Sequence, residues 1–229
     1  MNTLKARPVH FKMGEYINSG YSFLKDHFGD IFVAFLLCCV MSLIPFCGLL
    51  AMGNFYRYCR GLRRKEQVNT GDVFNFDNFI PYFVLQLIFI GVFFALYIPM
   101  LIFLPVIATG GNAAAVFGII FVLYILFLVV AIFVLLIKTF YMTALISLGG
   151  ITDLKTAWKM STIMTKGNGL TLFLFLFVVS ILANLGILAC GIGLFFTMPF
   201  ARVAIYFALE DGMQQIEHDE KEIGTKNGF

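Results

Sequence analysis

The sequence predicts an all-α fold, a polytopic bundle of membrane helices, and three observations carry that prediction. Hydrophobic residues make up 60% of the 229 and charged residues 13%, against about 45–50% and about 25% in soluble chains. With 16 basic and 13 acidic side chains, the chain cannot dress a water-facing surface, which needs roughly 25–35% charge. Four stretches, 31–56, 78–137, 139–152 and 167–201, carry no charge at all, and basic residues cluster between them.

A crossing needs about 20 residues at 1.5 Å each. Stretch 78–137 holds two, near 79–106 and 112–137, with Thr109-Gly110-Gly111-Asn112 as the turn. The second is expected to run past Lys138 to Leu148, where Gly149-Gly150 stops it. Pro99 and Pro105 each remove a backbone donor and are expected to kink the first. Stretch 167–201 holds two more, near 169–188 and 192–211, punctuated by Asn184, Gly186, Gly191 and Gly193.

Stretch 31–56 is either one long helix or a hairpin turning at Pro45-Phe46-Cys47-Gly48. The positive-inside rule favours the hairpin. With it, Lys5, Arg7, Lys12 and Lys25 share a side with Arg57, Arg60, Arg63, Arg64 and Lys65, and with Lys155, Lys159, Lys166, Lys221 and Lys226. Six passes with both termini cytoplasmic follow, and the far-side turns carry no charge. The expected cost is two short legs, with Arg57 and Arg60 inside the returning one and snorkelling to the interface.

The outer pairs look alike. Gly48, Leu49, Phe55 and Arg57 match Gly193, Leu194, Phe200 and Arg202 at one constant offset. An amphipathic stretch precedes each pair: Ile17, Tyr21, Leu24 and Phe28 in the first, Leu154, Ala157, Trp158, Ser161 and Met164 in the second. This predicts a parallel pseudo-repeat about an axis along the membrane normal. One membrane unit results: interfacial helix 10–28, hairpin 30–65, central pair 72–148, interfacial helix 152–166, hairpin 168–211 and a cytoplasmic tail 212–229. Phe74, Phe76 and Phe79 are expected to dip into lipid, and the tail to stay helical to about Glu222.

The segment around Ala157-Trp158, the hairpin turn and the 193–207 return helix carry a resemblance. The chain resembles bacterial six-helix integral membrane proteins of unknown function, related to the membrane domain of glycerophosphodiester phosphodiesterases. The resemblance implies a bacterial cytoplasmic (inner) membrane location and the membrane architecture. It does not imply the phosphodiesterase activity, which belongs to a soluble domain.

Chemistry is sparse. No Asp or Glu lies in any apolar run, and Ser42, Ser147 and Ser180 have no histidine near them in sequence, so no nucleophile finds a base. Intramembrane acids or histidines for proton coupling are missing too. The histidines, His10, His27 and His218, lie outside the runs, and Cys38, Cys39, Cys47, Cys59 and Cys190 match no zinc spacing. No enzyme, metal or cofactor is expected.

What remains is cationic. Arg57, Arg60 and Arg64 fall at i, i+3 and i+7 on one helix face, and Lys138 and Arg202 join them near the membrane. They either set topology or form a binding site for an anionic headgroup. Asp30, Glu210 and Asp211 are the internal alternatives. The expected function is a non-enzymatic membrane scaffold or accessory subunit. The alternative is a carrier or exporter of an anionic amphiphile or lipid. Membrane lipids are the expected partners, with a membrane protein or a second copy as further candidates, and no nucleic acid.

Overall fold

The computed structural model describes residues 6–108, 110–187, 191 and 193–226. Lys5, Thr109 and Cys190 lie outside them. Every regular element among the described residues is helical. The order is α1 (Met13–Asp26), α2 (Phe28–Ser42), α3 (Gly48–Arg63), a 3-10 turn (Thr70–Phe74), α4 (Phe79–Ala108), α5 (Gly111–Thr139), α6 (Met142–Ser147), α7 (Leu154–Met164), α8 (Gly169–Leu185) and α9 (Leu194–Lys226).

Two stretches, Phe79–Pro105 and Ala114–Ser147, are long and apolar enough to cross a membrane. Together α7 and α8 make a third candidate, bent by 97° at their junction. No residue of the most apolar stretch of α4 is buried inside protein, and 6% of that of α5 is. The two helices pack on each other as a hairpin turned at Gly110, φ +75°. Pro99 and Pro105 lie inside α4. A hairpin apolar all round needs lipid or another apolar surface around it.

The 31–56 stretch is a hairpin. Both legs are short, 15 and 16 residues, so each spans about 22–24 Å. The turn puts Phe46 at φ +65°, and its ring meets Phe83 of α4 edge-on at 5.2 Å. Of the two legs, α3 is the more enclosed, with Leu50, Ala51, Phe55 and Cys59 at 0% exposure. A Cβ on Gly53 would lie 2.2 Å from the Tyr82 hydroxyl oxygen, so glycine there lets α4 approach.

α1 lies on α9 through Tyr16, Gly20, Phe23 and Leu24. A Cβ on Gly20 would sit 3.0 Å from the Ala204 Cα. The expected stripe was one position off: Leu24 is buried, but Tyr21 is 64% exposed. Ile17, Tyr21 and Phe28 instead line an open apolar groove beside Phe196 and Phe200. The helix has a wider apolar face than its neighbours cover.

Two other expectations need correction. The 112–148 helix is broken at Phe140 and Tyr141 into α5 and α6. Ser161 of α7 holds the break, its Oγ donating to the Lys138 carbonyl (2.6 Å) and accepting from the Tyr141 N–H (3.2 Å). Phe74 and Phe79 pack against the protein core, and only Phe76 stands out. The tail is helical as expected, a little further than Glu222: α9 runs through 212 to Lys226, with Met213 and Ile216 fully buried.

The segment before α1 is strapped down. Val9 N–H donates to the Met164 carbonyl (3.0 Å), and Asn168 donates to the Val9 carbonyl. Gln215 of α9 exchanges two bonds with the His10 backbone, and Arg7 donates to the Gln215 carbonyl (2.9 Å). Tyr16 donates to Asp211 at 2.7 Å. Burial, together with that bond, holds the Tyr16 phenol well above its ordinary pKa.

Candidate functional site

The cationic face of α3 meets the end of α6. This short helix stops where Gly150 turns at φ +66° and the Ile151 N–H reaches back to the Leu145 carbonyl (2.9 Å). A helix end leaves its last carbonyls without intrahelical donors and carries partial negative charge. Arg57 Nε donates to the Ser147 carbonyl (3.0 Å), and Arg60 Nη1 to the Leu148 carbonyl (2.9 Å). Two guanidinium groups one turn apart therefore cap one helix.

Arg60 also reaches α9. Its Nε donates to Glu210 Oε2 at 2.7 Å, and Nη2 lies 2.6 Å from the same oxygen. Both nitrogens converge on one oxygen, so the pair is not the parallel fork of the strongest arginine–carboxylate contacts. The other oxygen accepts from Gln214 (3.2 Å). Glu210 is 1% exposed. A carboxylate so enclosed needs its partner, because an isolated buried charge is costly.

The neighbourhood is backbone-rich. The Thr143 carbonyl accepts from both Tyr82 (2.9 Å) and Ser147 Oγ (2.7 Å). Buried Asn54 donates to the Val73 and Asn75 carbonyls (2.9 and 2.6 Å), tying the 3-10 turn to α3. These contacts hold helices in place, and none pairs a nucleophile with a base.

The remaining sequence-predicted residues do not join this cluster. Arg64 follows the last residue of α3 and lies 4.0 Å from Glu66 in the open. Lys138 is half-buried in the last turn of α5, where a cation suits the helix end. Arg202 is exposed on α9. It lines a groove of about 260 Å³ with Ser180 and Asn184 of α8 and faces the Tyr56 hydroxyl. Among the described residues it makes no salt bridge to a carboxylate. Arg57 on α3 and Arg202 on α9 thus stand in unlike surroundings.

The sequence argument missed two polar contacts. One is the Asn54 latch, signalled by a lone asparagine in an apolar run. The other is Arg63, whose guanidinium lies 5.0 Å over the Phe207 ring. Among the described residues, no group of three or more His, Cys, Asp or Glu is placed to hold a metal ion. Cys38, Cys39, Cys47 and Cys59 are free thiols. No family model, curated protein or solved structure matches the chain.

Proposed function

We propose that the chain is a non-enzymatic integral membrane scaffold or accessory subunit. One observation carries this reading: the best-placed cations, Arg57 and Arg60, bind the protein's own helix end and Glu210. Charges engaged internally shape a rigid body. The apolar α4–α5 hairpin supplies a long lateral face for lipid or a partner helix. On this reading the three hairpins make six passes, the short α2 and α3 included, with both termini on the cytoplasmic side of a bacterial inner membrane. The repeated order of amphipathic helix, apolar helix and arginine-bearing return helix supports the pseudo-repeat and the kinship with the six-helix proteins. The unlike neighbours of α1 and α7 limit any symmetry to the hairpins, since α1 packs on α9 while α7 packs chiefly on α5 and α6.

A second reading rests on Arg202. Exposed beside Ser180 and Asn184, it suits an anionic headgroup, which favours a carrier of an anionic amphiphile. Purification in mild detergent, followed by protein and lipid mass spectrometry, separates the two. A stoichiometric protein supports the scaffold. An anionic lipid lost in Arg202→Leu, with no protein partner, supports the carrier.

A further inference from the structure

A groove of about 610 Å³ opens where α7 crosses the bases of α4 and α5. Phe89 and Val92 of α4 and Leu135 of α5 wall it, and Lys155, Trp158 and Lys159 of α7 form its rim. The walls belong to the two stretches suited to crossing a bilayer. At 1.5 Å per residue, Phe89 and Val92 lie about 15–20 Å along α4 from Phe79, and Leu135 about 6 Å from the end of α5, so the walls are apolar for the turns next to the rim. α7 is amphipathic, and its apolar side includes buried Ala157, Met160 and Met164.

The rim is built for an amphiphile of negative charge. Both lysines are exposed, one turn apart, and make no salt bridge among the described residues. Lys155 sits in the first turn of α7, where a cation opposes the helix dipole. Asp153, two residues before Lys155, attracts it, but its carboxylate is engaged in accepting the Lys155 and Thr156 N–H groups and the Thr156 hydroxyl. Trp158, 37% exposed, presents an apolar ring beside a polar N–H, which suits the headgroup boundary.

We infer that this groove seats an anionic phospholipid, with an acyl chain against Phe89, Val92 and Leu135 and the phosphate between Lys155 and Lys159. The inference rests on the membrane reading and is independent of the scaffold role. It is also distinct from the Arg202 groove, which lies between α8 and α9.

Trp158 is the only tryptophan in the sequence, so its fluorescence reports this groove alone. The protein is reconstituted in phosphatidylcholine vesicles holding, as a minor component, phosphatidylglycerol or phosphatidylcholine with brominated acyl chains. Brominated phosphatidylglycerol should quench Trp158 more strongly, with a preference of about five-fold per lysine that weakens with salt. The preference should vanish in Lys155→Gln/Lys159→Gln and survive in Lys155→Arg/Lys159→Arg. Equal quenching by both lipids, or a preference persisting in the glutamine variant, overturns the site. No quenching by either overturns the site and the membrane reading together. A missing protein partner in the mass-spectrometric experiment touches only the scaffold.

Discussion

Arg60 and Glu210, 150 residues apart in the chain, meet at 2.6 Å where α3 packs against α9. Arg60 also caps α6 through the Leu148 carbonyl, so one side chain joins three helices. Glu210→Leu should therefore cost about 3–5 kcal/mol, since it strands a largely buried guanidinium. Arg60→Leu/Glu210→Leu should recover much of that, because the apolar pair leaves no charge uncompensated. Unfolding in detergent across the double-mutant cycle checks this, and additive costs would contradict it.

Arg57 and Arg202 should separate under the same substitution. Arg57→Leu leaves the Ser147 carbonyl without its donor and should destabilise by about 1–3 kcal/mol. Arg202 is exposed apart from its contact with the buried Tyr56 hydroxyl, so Arg202→Leu should cost less, about 1 kcal/mol or below. Thermal unfolding of the two variants in one detergent distinguishes them. Equal losses would mean that Arg202 is as structural as its counterpart.

Gly53→Ala should push the Tyr82 ring away from α3 and cost about 1–3 kcal/mol by overpacking. The same change made in a Tyr82→Leu background should cost less, since the clashing atoms are gone. Stability measurements on the four proteins give the coupling, and a value near zero would place the conflict elsewhere.

Asp153 caps α7, and its bonds from Thr156 lower its carboxyl pKa. A folded pKa below the unfolded one, about 3.9, gives stabilisation that is complete above that pH. It is lost as pH falls through the folded value. Amide exchange at Lys155 and Thr156 should accelerate in that acid window, beyond the intrinsic change with pH. Asp153→Asn should keep the cap and lose the pH dependence.

Topology is open to labelling. Single cysteines introduced at Arg64 and near the N-terminus should react with an impermeant thiol reagent only from the cytoplasmic side, and one at Asn112 only from outside. Reaction of the Arg64 position from outside would refute the six-pass arrangement.

Much of the helical layout was legible because charge-free runs and glycine punctuation are local signals. The turn at 43–47 and the stops of α4 and α8 follow from such signals. The break at Phe140 and Tyr141 was hidden, because its cause is Ser161, twenty residues further on. Periodicity could not choose between the stripes of α1, since both are apolar and the choice depends on the close approach of Ala204 to Gly20. The arginines were legible as a set, but their partners were not. Backbone carbonyls at a helix end have no letter in a sequence: the stop at Gly149-Gly150 was legible, but not that its carbonyls would face α3. Arg64 left the expected face because α3 ends one residue earlier, at Arg63.

The seating of α1 on α9 also has a bearing on time. Tyr16 finds Asp211 across 195 residues. At roughly 5–20 residues per second of synthesis, on the order of 10–40 s pass between the two. During that interval the face of Tyr16, Phe23 and Leu24 has no α9 to cover it, and for most of it the strap at Val9 has no Met164 to hold. The α4–α5 hairpin, whose pairing is local, closes early by comparison. The seat of α1 is therefore completed only when α9 arrives, and a nascent chain delayed before α9 leaves that apolar face of α1 open to other apolar surfaces.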